Sequence, residues 1–268
     1  MSASRVLRVA VLGFGAIGVR VASALASARV PSAALAGVIT RSPEQVAPHG
    51  HRVIALSDAP VECDLVVECA SVATLRAAGP GIIGAGIDLL PASLGALADS
   101  ELRARLLSSG PGRCFLTAGA IGGLDLLGAA ARDGGLDAAS LTSTKRATTL
   151  VRPWMTPELV QRLHDTQEAF TVFEGSVDEA IRLFPASLNV GVALAAATGM
   201  WDETLVRLVA DPAATLTNHR VRASGASGDY DFSITNKPLP DSPRSSAVVS
   251  AALLRGVSSI AQPSGSFV

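Results

Sequence analysis

A chain of 268 residues, 49% of them hydrophobic, is long enough for one large domain or two of ordinary size, each with a real core. Its formal net charge of -1 at pH 7 offers no electrostatic case for nucleic acid or for an anionic membrane surface as partner. Cys63, Cys69 and Cys114 have neither metal-ligand spacing nor an evident pairing, so no metal site is expected and a reducing, cytoplasmic setting is.

Arg5 and Arg8 ahead of the apolar residues 9–19 imitate a short signal peptide, but Gly13, Gly15 and Gly18 break the run. No uninterrupted apolar stretch reaches the roughly 18 residues of a membrane span. The expectation is a soluble intracellular protein.

Residues 5–12 read as a strand, Gly13-Phe14-Gly15-Ala16-Ile17-Gly18 as the turn after it, and residues 19–28 as a helix with apolar spacing. This is the G-x-G-x-x-G pattern in the setting that gives it meaning. The first glycine permits the turn, the second lets a pyrophosphate approach the backbone at the helix N-terminus, and the third lets helix and strand pack closely. A second strand, 34–39, ends in Thr40, Arg41 and Ser42, with no acidic residue before Glu44 to take a ribose 2′-hydroxyl. Arg41 pairing with a 2′-phosphate, with Thr40 and Ser42 as hydroxyl donors, favours NADP over NAD, with tolerance of both left open.

Residues 64–71 read as a buried strand whose carboxyl end places Cys69, Ala70 and Ser71 where such sheets bind ligands. A helix over 74–85, a strand over 87–93, a helix over 94–109 and a strand over 114–118 continue the alternation, which predicts an α/β, doubly wound parallel sheet. Gly119-Ala120-Ile121-Gly122-Gly123 then joins that last strand to an apolar helix over 124–131, a turn able to aim bare N–H groups at a ligand.

Beyond Asp125 the pattern changes. Strands are expected over 138–150 and 172–176, helices over 177–183 and 188–198, and antiparallel strands over 205–211, 219–224 and 230–235. A final apolar helix is expected over 244–261.

Val67-Glu68-Cys69-Ala70-Ser71, Ser93-Leu94-Gly95, Gly119 to Asp125, Phe173-Glu174-Gly175-Ser176, Phe184-Pro185, Asn189-Val190, Ala210-Asp211-Pro212 and His219 fall in one order along nearly the whole chain. Together they resemble the L-aspartate dehydrogenase family. The change of pattern sets a domain boundary near 118, and the resemblance implies a Rossmann domain, 1–118, completed by the C-terminal helix within 244–268, and a second α/β (α+β) domain, 119–243, that carries the substrate site and homodimer contacts. It implies NAD(P)-dependent oxidative deamination of L-aspartate to iminoaspartate, which yields oxaloacetate and ammonia, and the reverse amination. It matches His219 to the catalytic histidine, Asn189 to an active-site asparagine that also meets the cofactor, and Ala118, Gly119 and Ala120 to the loop beside the nicotinamide.

The chain departs from the family pattern in several places. Ala118 stands where serine is usual, Ser187 where the first of two asparagines is usual, and Thr144-Lys145-Arg146-Ala147 where Thr-Lys-Pro-Pro is usual. A dicarboxylate needs cationic or N–H partners, for which Lys145 is the candidate, against the ordinary reading of an exposed lysine. Asn189 at a helix start also reads as an N-cap, and His219 also reads as a buried core histidine. The competing functions are a related dehydrogenase for another amino or hydroxy acid, and a nucleotide-sensing protein without turnover.

Overall fold

The structure, a computed structural model, describes residues 5–132, 134–185, 188–239 and 242–262. The chain divides into two compact units, one built from the residues up to Gly119 together with Val248 onward, the other from Ala120–Ala247.

In the first unit β1 (Leu7–Leu12), α1 (Ala16–Ala26), β2 (Ala33–Ile39), the single turn α2 (Ala59–Glu62), β3 (Leu65–Glu68), α3 (Val72–Gly84), β4 (Asp88–Pro91) and α4 (Ser100–Leu107) follow in order. The strands form a 4-stranded sheet in the order β2-β1-β3-β4, all neighbours parallel. β3 is buried along its whole length, as a strand covered on both faces should be. This is the Rossmann-type arrangement, with its ligand crevice at the carboxyl ends of the strands.

Two expected elements change form here. The helix over 94–109 divides into a 3-10 turn, Leu94–Ala98, and α4, because Asp99 turns extended and its carboxylate accepts the Leu102 N–H as N-cap. The strand over 114–118 reduces to one bridge, Leu89 to Cys114, and the chain then leaves the sheet edge.

The second unit holds α5 (Leu124–Arg132), β5 (Ala138–Arg146), α6 (Pro157–Asp165), β6 (Phe170–Gly175), α7 (Val177–Leu183), α8 (Asn189–Thr198), β7 (Leu205–Asp211), β8 (Thr217–Gly225), β9 (Gly228–Asn236) and the short β10 (Pro238–Leu239) and β11 (Ser242–Ser246). Its 5-stranded sheet runs β6-β7-β5-β8-β9. The three late strands alternate in direction as expected, but β5 lies between β7 and β8 and pairs parallel with β7, which makes the sheet mixed. β5 stops at Arg146 and Ala147–Leu150 forms a 3-10 turn instead of extending the strand. α6 was not expected, although Thr156 caps it and Pro157 occupies its first turn.

Residues 242–246 are strand, so the last helix, α9 (Val248–Ala261), begins later than the sequence suggested. α9 belongs to the first unit: Leu253 and Val257 are fully buried in one cluster with Val9, Val11, Leu25, Leu65 and Leu90. A Cβ at Gly256 would stand 2.9 Å from Leu90, so glycine lets this helix approach β4. No helix among the described residues is long and apolar enough to cross a membrane.

Candidate active site

The first unit supplies a dinucleotide cradle. Gly13 has φ +97°, a left-handed conformation that favours glycine, and a Cβ there would meet Ala70 at 2.7 Å. A Cβ at Gly18 would lie 2.1 Å from the Gly13 carbonyl oxygen and 3.5 Å from Cys69. The turn therefore rests directly on the segment after β3, and the structure brings Gly13, Gly18, Cys69 and Ala70 together. Gly15 is exposed, with nothing within 4 Å of a built Cβ. It caps α1 without any side-chain bond, and the first turn of α1 carries no acidic residue. Open space in front of bare N–H groups fits a dinucleotide pyrophosphate.

Phe14 is buried, while Ala16 and Ile17 are partly exposed on the first turn of α1. Gly13 N–H donates to the Ile39 carbonyl at 2.9 Å, tying the turn to the end of β2. There Ser42 N–H donates to Thr40 Oγ1 at 3.1 Å, and Arg41 is exposed. His49 and His51 both lie against Phe14, ring centroids 5.2 and 6.0 Å away. Burial first, and His49 second, lower the His51 pKa.

The second unit gathers the polar groups expected of a proton-handling site. β5 and β8 pair Ser143 with His219, and alternation puts Leu141, Ser143 and Lys145 of β5 on one face. That face carries α8, since a Cβ at Gly191 would meet Val206 at 3.0 Å and Leu141 at 3.7 Å. His219 is buried, 3% exposed, with Nδ1 2.8 Å from Ser143 Oγ. Desolvation first, and the Lys145 charge second, lower its pKa to about 3, so the imidazole is neutral at pH 7.

Lys145 is partly buried, which corrects its reading as an exposed lysine, and desolvation followed by the Arg152 charge lowers its pKa to about 8. Arg152, like Ser143, had no signal in the sequence. Its guanidinium lies over the Phe184 ring at 5.9 Å and donates to the carbonyls of Thr149 and Val151. Three basic side chains are thus linked electrostatically, Arg152 to Lys145 to His219.

Asn189 is the first residue of α8 and the cap position belongs to Leu188, so Asn189 is not the N-cap. Ala118 is exposed, Gly119 has φ +61°, and Gly119 N–H donates to the buried Thr117 Oγ1 at 3.2 Å. The Ala120 carbonyl accepts from Asn236 Nδ2 at 2.8 Å, which anchors the glycine loop to the end of β9. Gly123 sits over Phe232, where a Cβ would approach the ring to 2.6 Å. Arg146, where the family has proline, is exposed and its Nε donates to the Ala214 carbonyl at 3.2 Å. Ser187 lies outside the described residues. No cluster of three metal-ligating side chains occurs among the described residues.

The low pKa of His219 makes stability depend on acidity. Its folded value, about 3, lies below the unfolded 6.5, so the unfolded chain binds the extra proton between those limits and stability is lost as pH falls through that window. Lys145, with a folded pKa of about 8, is charged in both states below pH 7 and adds no slope there. Denaturant titration of wild type and His219→Gln should therefore show wild type losing about 2 kcal/mol more than the variant between pH 7 and pH 5. Equal losses would contradict a buried neutral imidazole.

The family model described as aspartate dehydrogenase, C-terminal, matches residues 125–260, and that described as homoserine dehydrogenase, NAD binding domain, matches residues 13–110. The chain is 35% identical to the L-aspartate dehydrogenase of Ruegeria pomeroyi over 255 residues, covering 92% of this chain and 90% of that one. It is 35% identical to that of Ralstonia pickettii, covering 94% and 96%. The crystal structure of aspartate dehydrogenase from Thermotoga maritima superposes with a TM-score of 0.73 at 25% identity, covering 98% of both chains. A hyperthermophilic archaeal homoserine dehydrogenase, solved with NADPH, shares the fold at a TM-score of 0.55 and 11% identity.

Proposed function

Because this chain belongs to the L-aspartate dehydrogenase family and is an NAD(P)-dependent dehydrogenase, we propose that it oxidatively deaminates L-aspartate and runs the reverse reductive amination. The products are iminoaspartate, which hydrolyses to oxaloacetate and ammonia, and the reduced dinucleotide. The observation that carries this reading is the buried, neutral His219 beside the Lys145 ammonium, in the part of the chain that matches the family's C-terminal model.

A bound dinucleotide supplies the hydride acceptor at nicotinamide C4, and the Gly13 to Gly18 turn with the start of α1 holds its pyrophosphate. His219 takes a proton from the substrate amine, or from the water that attacks the imine. That role requires the tautomer in which Nδ1–H donates to Ser143 Oγ, leaving Nε2 with its lone pair. Lys145, mostly charged at pH 7, draws in a carboxylate, and Asn189 and the N–H groups of residues 119–122 orient the substrate. Two carboxylates arriving beside Lys145 and His219 raise the pKa of both, which moves the imidazole toward the range where a general base is effective.

Arg41, at the end of β2 with no acidic neighbour before Glu44, supports NADP as the favoured cofactor with NAD as a substitute. Residues 119–243 are the proposed substrate and homodimer domain, and the cytoplasm the proposed location.

The test is product analysis with L-aspartate and oxidised dinucleotide. Ammonia and oxaloacetate should appear in equal amounts with reduced dinucleotide. No dinucleotide reduction with L-aspartate, together with reduction when a 2-hydroxy dicarboxylic acid is supplied in its place, would mean a hydroxy-acid substrate instead.

A further inference from the structure

Glu68 ends β3 with no exposed surface. Its Oε1 accepts from Ala70 N–H at 2.7 Å, Ser71 N–H at 2.8 Å and Ser93 Oγ–H at 3.0 Å, and its Oε2 accepts from Ser93 N–H at 3.1 Å. Its own carbonyl accepts from Ala92 N–H at 2.8 Å. An ionised carboxylate is an acceptor only and matches four converging donors; a neutral acid would turn one oxygen into a donor facing an N–H. Burial pushes the Glu68 pKa up, and these donors oppose that push.

What the carboxylate holds is the platform of the dinucleotide turn. Gly13 and Gly18 pack against Ala70 and Cys69, close enough that a Cβ at Gly13 would overlap Ala70. Ser71 goes on to cap α3, its Oγ accepting from Thr74 N–H at 3.1 Å, and Ser93 opens the 3-10 turn after β4. The segments after β1, β3 and β4 are thus registered through one side chain.

We propose that Glu68 is a positioning residue for the dinucleotide site: its carboxylate fixes residues 69–71 and 93 in the conformation on which the glycine turn rests, and so sets cofactor affinity without touching the cofactor. The inference rests on the reading that the dinucleotide binds at that turn.

Titration of NADPH and NADH by nicotinamide fluorescence tests it, with thermal midpoints recorded on the same samples. Glu68→Gln keeps the volume but presents an amide NH2 to an N–H donor, so the Kd of the folded variant should rise at least about 10-fold. Ser93→Ala removes one donor and keeps the carboxylate, so its Kd should rise about 3-fold or more and its KM for dinucleotide should rise more than kcat falls. A folded Glu68→Gln whose Kd stays within about 2-fold of wild type overturns the proposal, whatever its thermal midpoint. If that variant does not fold, Ser93→Ala decides, and an unchanged Kd there overturns it equally. Wild type that binds neither dinucleotide defeats the cofactor reading and this inference together, whereas wild-type binding with insensitive variants defeats this inference alone.

Discussion

His219→Ala should lower kcat for aspartate oxidation by about 100-fold or more, with dinucleotide affinity unchanged. The size follows from the role: a positioned general base contributes about 100- to 10,000-fold, and a neighbouring cation such as Lys145 cannot replace it because it is mostly charged at pH 7. A stability cost accompanies the loss. Ser143 is fully buried and its hydroxyl meets His219 Nδ1, so truncation strands that hydroxyl at about 1–3 kcal/mol. Rates are therefore compared on protein shown to be folded, with His219→Gln beside it, since glutamine can partner Ser143 but cannot act as a base near neutrality. Loss of rate in both variants supports proton transfer; recovery of rate in the glutamine variant would make His219 a packing residue.

Gly18→Ala should disturb the cofactor turn itself. The added methyl would stand 2.1 Å from the Gly13 carbonyl oxygen and 3.0 Å from its carbon, both backbone atoms of the cofactor turn. No side chain can rotate away, so α1 must lift from the turn, at a cost of about 1–3 kcal/mol or more. Dinucleotide affinity should fall at least about 100-fold, because the N–H groups that meet the pyrophosphate move with the helix. Gly15→Ala is the informative companion. Nothing lies within 4 Å of a Cβ there, so the thermal midpoint should hold while the methyl occupies the space reserved for phosphate and weakens binding. Equal affinity in wild type and Gly15→Ala would place the pyrophosphate elsewhere.

The dinucleotide half was legible because its signals are local: a strand, three glycines at fixed offsets and a helix lie within residues 7–26. The second half gave fewer local signals, and its proposed site was read mainly through resemblance. Ser143 and His219 are 76 residues apart in sequence, and only the β5–β8 register sets them opposite each other. The parallel pairing of β5 with β7 is equally invisible to alternation, which gives a strand's faces but not its neighbours. Two oversights had local signals. Thr156-Pro157 before an amphipathic stretch announces α6, and an acidic residue closing the apolar run of β3 announces that Glu68 has partners. What could not be foreseen is that two of its donors come from Ser93, 25 residues further on. Arg152 acts on Lys145 through tertiary folding alone, so no spacing rule points to it.

L-aspartate deuterated at C2 follows the proposed transfer of hydride from Cα to the nicotinamide. Turnover with oxidised dinucleotide should place the deuterium in the reduced cofactor, mole for mole with the ammonia released. Deuterium released to water, or no reduction of a dinucleotide that demonstrably binds, would rule that transfer out.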